Sequence, residues 1–467
     1  MIEGGFMNAS DLTGLAELPL GYSLYDEINK ALTAGGEVIA GSTGGGALKL
    51  ESLDMTLKNL TFKYRDHCVV WADAAKSKAE STAEMHNVQK DYGDRQAEAF
   101  IPEIGLPNEA DPTLERKVSI VKFMGKTAVV SIPSTLVRAM AGGIEAVQMN
   151  AATQWLIERS DHAMLYGRSD IMGEAYDGYF KLMMDGANAD NLVDKRGKPI
   201  LLDDLEDYGD LIAQNFGIPS LCWLNYSPHK DIAKQMFPKG RYEASAGGNL
   251  EGLGYQLKSF PSNAGEIRFR RSPFIKERFQ VPPTTASLNA PPTSTDGSAA
   301  TAVSSDTVLS KFGANDAGDY YYKVVARNKF GHSIALSLGP YTVTAGDKVT
   351  ISVNNGGSGD TQPAYYEVYR SDKDGAATTC KLIGKFAWVD GTSDQYIDRN
   401  QWLPGTYDAM VVDFDSEQVL DYRQLAPLFR VPLATINTSI RWMLLLFGVP
   451  RLFNPNKAVY IRNIGKL

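Results

Sequence analysis

GIEAVQMNAATQWLIERSDHAMLYG, residues 143–167, is the stretch from which the organisation of the chain follows. Its apolar side chains recur at three- and four-residue spacings in two stripes: Ile144, Val147, Ala151 and Trp155 in the first, and Ala152, Leu156 and Ala163 in the second. Gly167 is a typical helix end. At 1.5 Å per residue such a helix would be roughly 35 Å long, which suits an extended domain. The stretch therefore predicts a long helix that acts as a spine, although an ordinary buried helix fits the same pattern.

The composition indicates a globular chain without a nucleic-acid-binding face. With 467 residues, 43% of them hydrophobic, it can bury a sizeable core in two or three domains. The formal net charge is −8 with both signs interspersed, so DNA is expected as a neighbour and not as a ligand. Cys68, Cys222 and Cys380 are isolated, which argues against a disulfide framework or a zinc site. They are predicted to be small core residues in a reducing compartment.

Targeting and membrane segments are not evident in the sequence. The start, MIEGGFMNASDLTG, has neither the basic segment nor the long apolar run of a secretory signal, so the protein is expected to be made in the cytoplasm and to stay there. Trp442–Val449 is the most apolar segment. It falls far short of the roughly 20 residues that a spanning helix needs, so it predicts a strand and no membrane partner.

The N-terminal third of the sequence predicts an extended arm followed by a polar segment between two strands. Residues 1–46 are rich in small side chains and predict an extended arm. The glycines before Ala47 do not form a phosphate-binding loop, because that position requires a lysine. Leu60–Trp71 and Lys117–Ile132 are strand-like. The polar interval between them cannot form its own core, so it predicts either a projecting hairpin-like arm that packs on something else or a disordered loop.

An α/β unit is expected after the spine, beyond a turn at Asp177–Phe180. Leu205–Phe216 has helical spacing and is expected to end at Gly217. SLCWLN, residues 220–225, predicts a short buried strand, and Ser227 with Pro228 predicts the start of another helix.

An all-β module is predicted after the composition changes at Val281 to a linker rich in Pro, Thr, Ser and Ala. One strand carries alternating residues on a common face: Tyr320, Tyr322, Val324 and Ala326. KVTISV, AYYEVYR and LIGKFAW predict further strands. The Cys and Trp signature of antibody domains is absent, which favours a fibronectin-like or bacterial immunoglobulin-like sandwich.

The sequence pattern changes again after about Leu403. We predict a helix over Leu420–Leu428, a strand within residues 433–447 and a final strand within residues 451–464. One face of the middle strand is expected to hold Ile436, Thr438, Ile440, Trp442, Leu444 and Leu446. A β module flanked by segments of an α/β body is most economically an insertion on the outside of that body.

Catalytic residues are not apparent. The five histidines are far apart and lack ligand spacing, and no serine lies in a GxSxG motif: His67, His86, His162, His229 and His332. His162 is expected to be structural and not a base. One acidic run could suggest a metal site or acid/base catalysis: Asp203, Asp204, Glu206 and Asp207. Its spacing instead scatters the carboxylates around a helix, which favours a solvated face. We predict no enzymatic activity and no catalytic, cofactor-binding or metal-binding residues.

The order of these pieces resembles the major capsid proteins of tailed phages, with the Hong Kong 97-type fold. The resemblance is nearest to the large contractile-tailed phages of the Twort-like group, whose capsid proteins carry an Ig-like insertion. It rests on the following segments: GGALKLESLDMTLKNLTF, FIPEIGLPNEADPTLERKVSIVKF, the spine with its LYG exit, the YDG turn at residues 176–178, and LAPLFRVPLATINTSIRWMLLLFGVPRLFNPNKAVYIRNI. It implies an α+β fold and a subunit that forms hexamers and pentamers of an icosahedral shell around double-stranded DNA.

The resemblance also implies a domain order. The expected parts are an N-terminal arm (1–60), an extended loop with flanking strands (61–132), a peripheral domain with the spine helix (133–175), an axial domain (176–282), an inserted Ig-like β-sandwich that projects outward (283–402), and a return to the axial domain and the C-terminal peripheral strands (403–467). The expected location is the virion capsid, after assembly in the host cytoplasm.

The implied partners are many copies of the same chain, portal and scaffolding or minor capsid proteins, and packaged DNA in non-specific proximity. Some members of the family join subunits by a Lys to Asn isopeptide bond. Lys76, Lys78 and Lys90 lie in the proposed loop, where ordinary surface lysines are the simpler explanation.

Two other classes of function remain open from the sequence. An adhesion protein would use the module to contact carbohydrate or a host surface, through aromatic residues such as Tyr320, Tyr321, Tyr365 and Tyr369. An enzyme carrying a fibronectin-like module would bring carboxylates together in a pocket.

Overall fold

The computed structural model describes residues 67–89, 93, 100–101, 103–106, 109, 111–136, 143–236, 257–292, 300–353, 358–389, 394–415, 419–434 and 437–467. Its helices are α1 (Val69–Asp73), α2 (Ile132–Leu136), α3 (Ile144–Tyr166), α4 (Tyr179–Gly186), α5 (Leu202–Gln214) and α6 (Tyr226–Met236). The expected N-terminal arm lies outside the described residues. Within them, no helix is both long and apolar enough to cross a membrane.

The strands divide between what we call the body and the β module. The body contains β1 (Lys76–Lys78), β2 (Ala83–Gln89), β3 (Leu114–Ile120), β4 (Lys122–Ser131), β5 (Leu192–Asp194), β6 (Leu221–Leu224), β7 (Ser259–Ser262) and β8 (Gly265–Arg271). The β module contains β9 (Ala300–Ser305), β10 (Gly318–Asn328), β11 (Gly331–His332), β12 (Leu336–Val343), β13 (Asp347–Val353), β14 (Tyr365–Arg370), β15 (Lys381–Ala387) and β16 (Asp394–Asp398). The body resumes with β17 (Tyr407–Val412), β18 (Leu420–Pro432), β19 (Ser439–Leu452) and β20 (Ala458–Ile464).

The predicted spine helix is confirmed as α3, which runs from Ile144 to Tyr166. Only one of its two apolar stripes is the buried one: Ala152 and Leu156 are buried, whereas Ala151 and Trp155 are exposed. The two stripes therefore differ in burial, and the second provides the core face. The helix packs through the second stripe on the sheet that contains β4 and β19. Trp155 is 37% exposed, and the Lys126 ammonium of β4 lies 4.7 Å from its ring centroid.

The LYG and YDG motifs have a steric reason. The amide of Gly178 donates to the carbonyl of Gly167 at 2.9 Å, so the chain folds back tightly after α3. A Cβ on Gly167 would lie 2.5 Å from the Tyr176 carbonyl oxygen, and one on Gly178 would lie 2.6 Å from that of Leu165. Both positions exclude a side chain because backbone atoms occupy the space.

A four-stranded sheet of order β1–β18–β19–β4 covers the spine. The predicted inward face of β19 is confirmed by Trp442, Leu444 and Leu446, which are at most 1% exposed. Ile436 lies outside the described residues, and Thr438 is exposed and precedes the strand. The helix predicted over Leu420–Leu428 is wrong, because that segment is part of β18 and pairs with β19 over most of its length.

Both strand predictions before the spine need correction. In Leu60–Trp71, the described residues at 69–73 are helical as α1, because the Trp71 amide donates to Asp161 of α3 at 2.8 Å and Val70 enters the core. Residues 60–66 lie outside the described part. The run Lys117–Ile132 is broken at Val121, which is buried and donates its amide to the Thr82 carbonyl. The two halves consequently join different sheets as β3 and β4.

The α/β unit is confirmed as a six-stranded mixed sheet of order β5–β20–β17–β6–β8–β7, flanked by α5 and α6. SLCWLN supplies the fully buried strand β6. Phe216 does not belong to the helical stripe, because α5 ends at Gln214 and Phe216 is 80% exposed with φ of 60°. The last predicted strand begins only at Ala458, after a 3₁₀ turn at Pro455–Lys457.

The β module consists of one five-stranded and one three-stranded antiparallel sheet. The predicted inward face of β10 is confirmed, since its four residues are at most 4% exposed and share one core: Tyr320, Tyr322, Val324 and Ala326. The chain leaves the six-stranded sheet after β8 and returns to it at β17. The three cysteines are free and buried, as predicted.

Candidate assembly surface

Strands β2 and β3 form a two-stranded antiparallel ribbon, in which Met85 is paired with Val118 and Ala83 with Ile120. This agrees with the prediction of a hairpin-like arm for the polar interval between the two strand-like runs, although most of residues 90–113 lie outside the described part. Successive side chains of a strand point to opposite faces. The ribbon therefore has two faces with different surroundings.

The apolar face of the ribbon points away from the body. Met85 is 58% exposed, Val118 is 54% exposed and Ile120 is 57% exposed. Leu114 at the far end of β3 is 66% exposed. We call these four residues the ribbon apolar face.

The polar face of the ribbon is the one that contacts the body. The His86 ring packs edge-on against Phe453, with ring centroids 4.9 Å apart. Glu84 lies 3.9 Å from Arg451. The polarity is thus the reverse of that in a strand folded on its own core, where the apolar face would be turned inward.

A second apolar surface lies on the four-stranded sheet, on the side opposite the spine. Phe123 is 61% exposed and Val129 is 53% exposed, and both belong to β4. Half-buried side chains of β18 and β19 continue this surface: Phe429, Val431, Met443, Leu445 and Phe447. Phe447 contacts Phe123 and Phe429 edge-on, so the aromatic residues form one patch.

These two surfaces are suited to binding other protein chains. Burying one large aliphatic side chain stabilises a complex by about 1.5–3 kcal/mol before the costs of association. Contiguous exposed apolar residues on a folded protein are characteristic of interaction sites. With these surfaces, protein chains can associate by burying apolar area, and this association requires no catalytic chemistry.

The residues considered as chemical candidates do not converge. His86 contacts Phe453, His229 is hydrogen-bonded to the Leu257 carbonyl, and His332 lies in the β module. Burial lowers the pKa of His162 to about 4, so this imidazole is neutral at pH 7. Within the described ranges, no group of three or more His, Cys, Asp or Glu side chains is placed to hold a metal ion.

The acidic run on α5 is dispersed, as its spacing predicted. Asp203 and Asp207 are exposed. Asp204 accepts the backbone N–H of Leu201 at 2.6 Å and pairs with Lys195 at 2.7 Å. It therefore caps the start of the helix.

Among the candidate lysines and tyrosines, Lys76, Tyr320 and Tyr369 have structural surroundings, and Lys78 is exposed. Lys76 donates to the Trp71 carbonyl and lies over the Trp71 ring, and Lys90 lies outside the described residues. Tyr320 is 4% exposed and Tyr369 is fully buried, so neither is available to a sugar. Tyr321 and Tyr365 are half-buried.

Asp161 is a buried carboxylate on the spine that the sequence did not single out. It accepts the Trp71 amide and thereby fixes α1 on α3. Burial, which outweighs two backbone N–H groups, raises the pKa of Asp161 from 3.8 to about 7. Periodicity alone gave no signal for it, because the residue lies among apolar neighbours of the same face.

We expect Asp161→Asn to flatten the pH dependence of stability. The folded chain holds this proton more tightly than the unfolded chain does, so the contribution of Asp161 is fully present below its ordinary pKa and is lost as the pH rises to about 7. Asparagine is neutral throughout and can still accept the Trp71 amide. Urea unfolding of both proteins at pH 4, 6 and 8 measures the difference, and parallel profiles would contradict it.

The sequence analysis also did not identify the ribbon apolar face as an exposed surface. The alternation in LERKVSI, residues 114–120, was the available signal, because it places Leu114, Val118 and Ile120 on one side. The predicted strand began only at Lys117, and the pattern did not indicate which side faces solvent.

Comparisons with known proteins give relatives along nearly the whole chain. The chain is 26% identical over 429 residues to the major capsid protein of Staphylococcus phage K, covering 90% of each. It is 25% identical over 462 residues to the putative major capsid protein of Enterococcus phage phiEF24C, covering 95% of each. No family model matches the chain.

Similar solved structures include that of Gordonia phage Cozz, with a TM-score of 0.46, 10% identity and coverage of 92% of this chain and 96% of that one. The capsid of the empty GTA particle gives a TM-score of 0.46 at 9% identity, covering 91% and 98%. Scores this low carry no argument about this chain.

The names of the sequence relatives denote structural proteins of the virion and not enzymes, which agrees with the expectation of no enzymatic activity. Staphylococcus phage K is also consistent with the Twort-like group that the motifs indicated. The resemblance of this chain to the major capsid proteins of tailed phages is therefore confirmed by sequence relatives that span 90% or more of it.

Proposed function

We propose that this chain is the major capsid protein of a tailed phage and that it self-assembles into the hexamers and pentamers of an icosahedral head around double-stranded DNA. The observation that carries the proposal is the ribbon apolar face, which is exposed in one chain and needs a partner to bury it. The names of the sequence relatives support the same function. The location follows as the virion capsid.

We propose that a second copy of this chain covers the ribbon. Two apolar surfaces occur on the same chain, the ribbon apolar face and the patch around Phe123 and Phe447, and each can bury the other when copies associate. Repetition of one such contact around symmetry axes generates closed rings of subunits. The Hong Kong 97-type fold supplies the extended loop, peripheral and axial domains to which we assign residues 61–132, 133–175 and 176–282, with 403–467 returning to both domains.

We assign the β module, expected over residues 283–402, to an Ig-like sandwich that projects outward. Its two antiparallel sheets and common core support this assignment. Portal, scaffolding or minor capsid proteins are further proposed partners, and packaged DNA is a neighbour that the net charge of −8 does not favour as a ligand.

Sedimentation and electron microscopy test the proposed function directly. Full-length chain expressed alone or with the phage's assembly proteins is expected to sediment as very large, closed particles. The same preparation viewed by negative stain should show shells with hexameric and pentameric units. A monodisperse monomer from infected cells or virions would contradict the proposal.

A further inference from the structure

The β module is attached to the body by two separate groups of polar contacts as well as by the chain itself. The first group joins β15 to the 3₁₀ helix Glu277–Phe279 of the body. The Lys385 ammonium lies 2.5 Å from the Glu277 carboxylate, and the Leu382 amide donates to the Gln280 carbonyl at 3.0 Å. We call this group the first anchor.

The second anchor lies near β5 and β20 of the body. Arg196 donates to the Asn400 carbonyl and pairs with Asp316 at 3.0 Å. Lys311 of the module pairs with Asp194 of the body, also at 3.0 Å. Two anchors restrict rotation that a single contact would permit.

Trp402 links the two parts between the anchors. Its ring is partly buried and packs against the core of the body as well as the core of the module. The guanidinium groups of Arg278 and Arg462 lie 4.2 Å and 5.1 Å from the ring centroid. A ring held by cations and by both cores resists sliding of the module.

The first anchor connects to the end of the spine helix. Arg278, next to Glu277, forms a buried pair with Asp408 at 2.8 Å. Asp408 in turn accepts the hydroxyl of Tyr166, the last residue of α3. Burial alone would raise the pKa of Glu277, but the Lys385 ammonium holds it below its ordinary value, so the anchor is ionised.

The joint between the β module and the body is not closed by dense apolar packing. A cavity of about 550 Å³ lies within it, bordered by Tyr365 and Lys385 of the module and by His162 and Tyr166 of the body. The orientation therefore depends on the specific contacts at its edge.

We propose that the two anchors and Trp402 clamp the β module onto the body in one orientation, so that the module braces the C-terminal end of the spine helix and is not a flexibly tethered appendage. This inference is independent of the proposed function, because it concerns a single chain.

Hydrogen–deuterium exchange on the purified full chain tests the clamp. Lys385→Met leaves Glu277 buried without its partner, so exchange should increase about tenfold or more at residues 277–280 and at the spine end, residues 159–166. Exchange at residues 150–156 should stay unchanged. The matched control is Lys329→Met, which removes a pair with Asp360 that is exposed on both sides and should change nothing at the joint.

A second variant keeps the test decisive if Lys385→Met does not fold. The double variant Glu277→Lys with Lys385→Glu retains an ion pair of reversed polarity and should recover most of the protection at residues 159–166. Faster exchange confined to β15, with residues 159–166 as protected as in the unmodified chain, would overturn the clamp. Particle formation is scored separately by microscopy, so failure of the clamp and failure of the capsid assignment give different results.

Discussion

Val118→Asp combined with Ile120→Asp is expected to reduce the yield of particles by roughly a hundredfold or more while the subunit stays folded. Both side chains are more than half exposed in the single chain, so carboxylates are solvated there and cost little. In an assembled shell the same carboxylates would be buried against an apolar partner without a counter-charge. Sedimentation measures particle yield, and circular dichroism of the soluble fraction measures folding.

The matched control for this experiment is Asn87→Asp on the same face of the ribbon. Arg116 donates to Asn87 at 3.2 Å, so a carboxylate at this position gains a paired cation. Particle yield should stay within about twofold of the unmodified chain, since a paired surface charge contributes little. If the double variant assembles as well as this control, the ribbon apolar face is not a subunit contact.

Leu156→Ala is expected to lower the free energy of unfolding of the subunit by about 2–5 kcal/mol. Leu156 is fully buried between α3 and the four-stranded sheet, where it shares a core with Trp442 and Leu444. Truncation removes its transfer free energy and leaves a cavity between α3 and the sheet. Urea unfolding of dissociated subunits measures the loss.

The control for the core substitution is the same change at an exposed leucine. Leu136 is 82% exposed, so Leu136→Ala should alter the free energy of unfolding by no more than about 0.5 kcal/mol. Equal effects of the two variants would mean that the spine does not pack through the Ala152 and Leu156 stripe.

The sequence was informative wherever one local pattern had one structural solution. The spine helix, the strand SLCWLN and the alternating face of β10 all follow from periodicity, because side-chain repeat and backbone geometry are directly linked. The segment Leu420–Leu428 was misread because its apolar spacing fits a helix in isolation, whereas pairing with β19 along the sheet outweighs that preference. At Val69–Asp73, which forms a helix, tertiary contacts likewise outweighed the local strand-like pattern.

By itself the sequence determined the order of the elements, the existence of an all-β module and the resemblance to phage capsid proteins, since these depend on local spacing and on motifs. Only the tertiary structure decided which side of each element is buried. It turned the polar face of the ribbon toward the body and left Val118 and Ile120 in solvent, and it placed Lys385 on Glu277 across more than a hundred residues of chain. Facing and long-range pairing depend on neighbours that are distant in sequence, so no local window contains them.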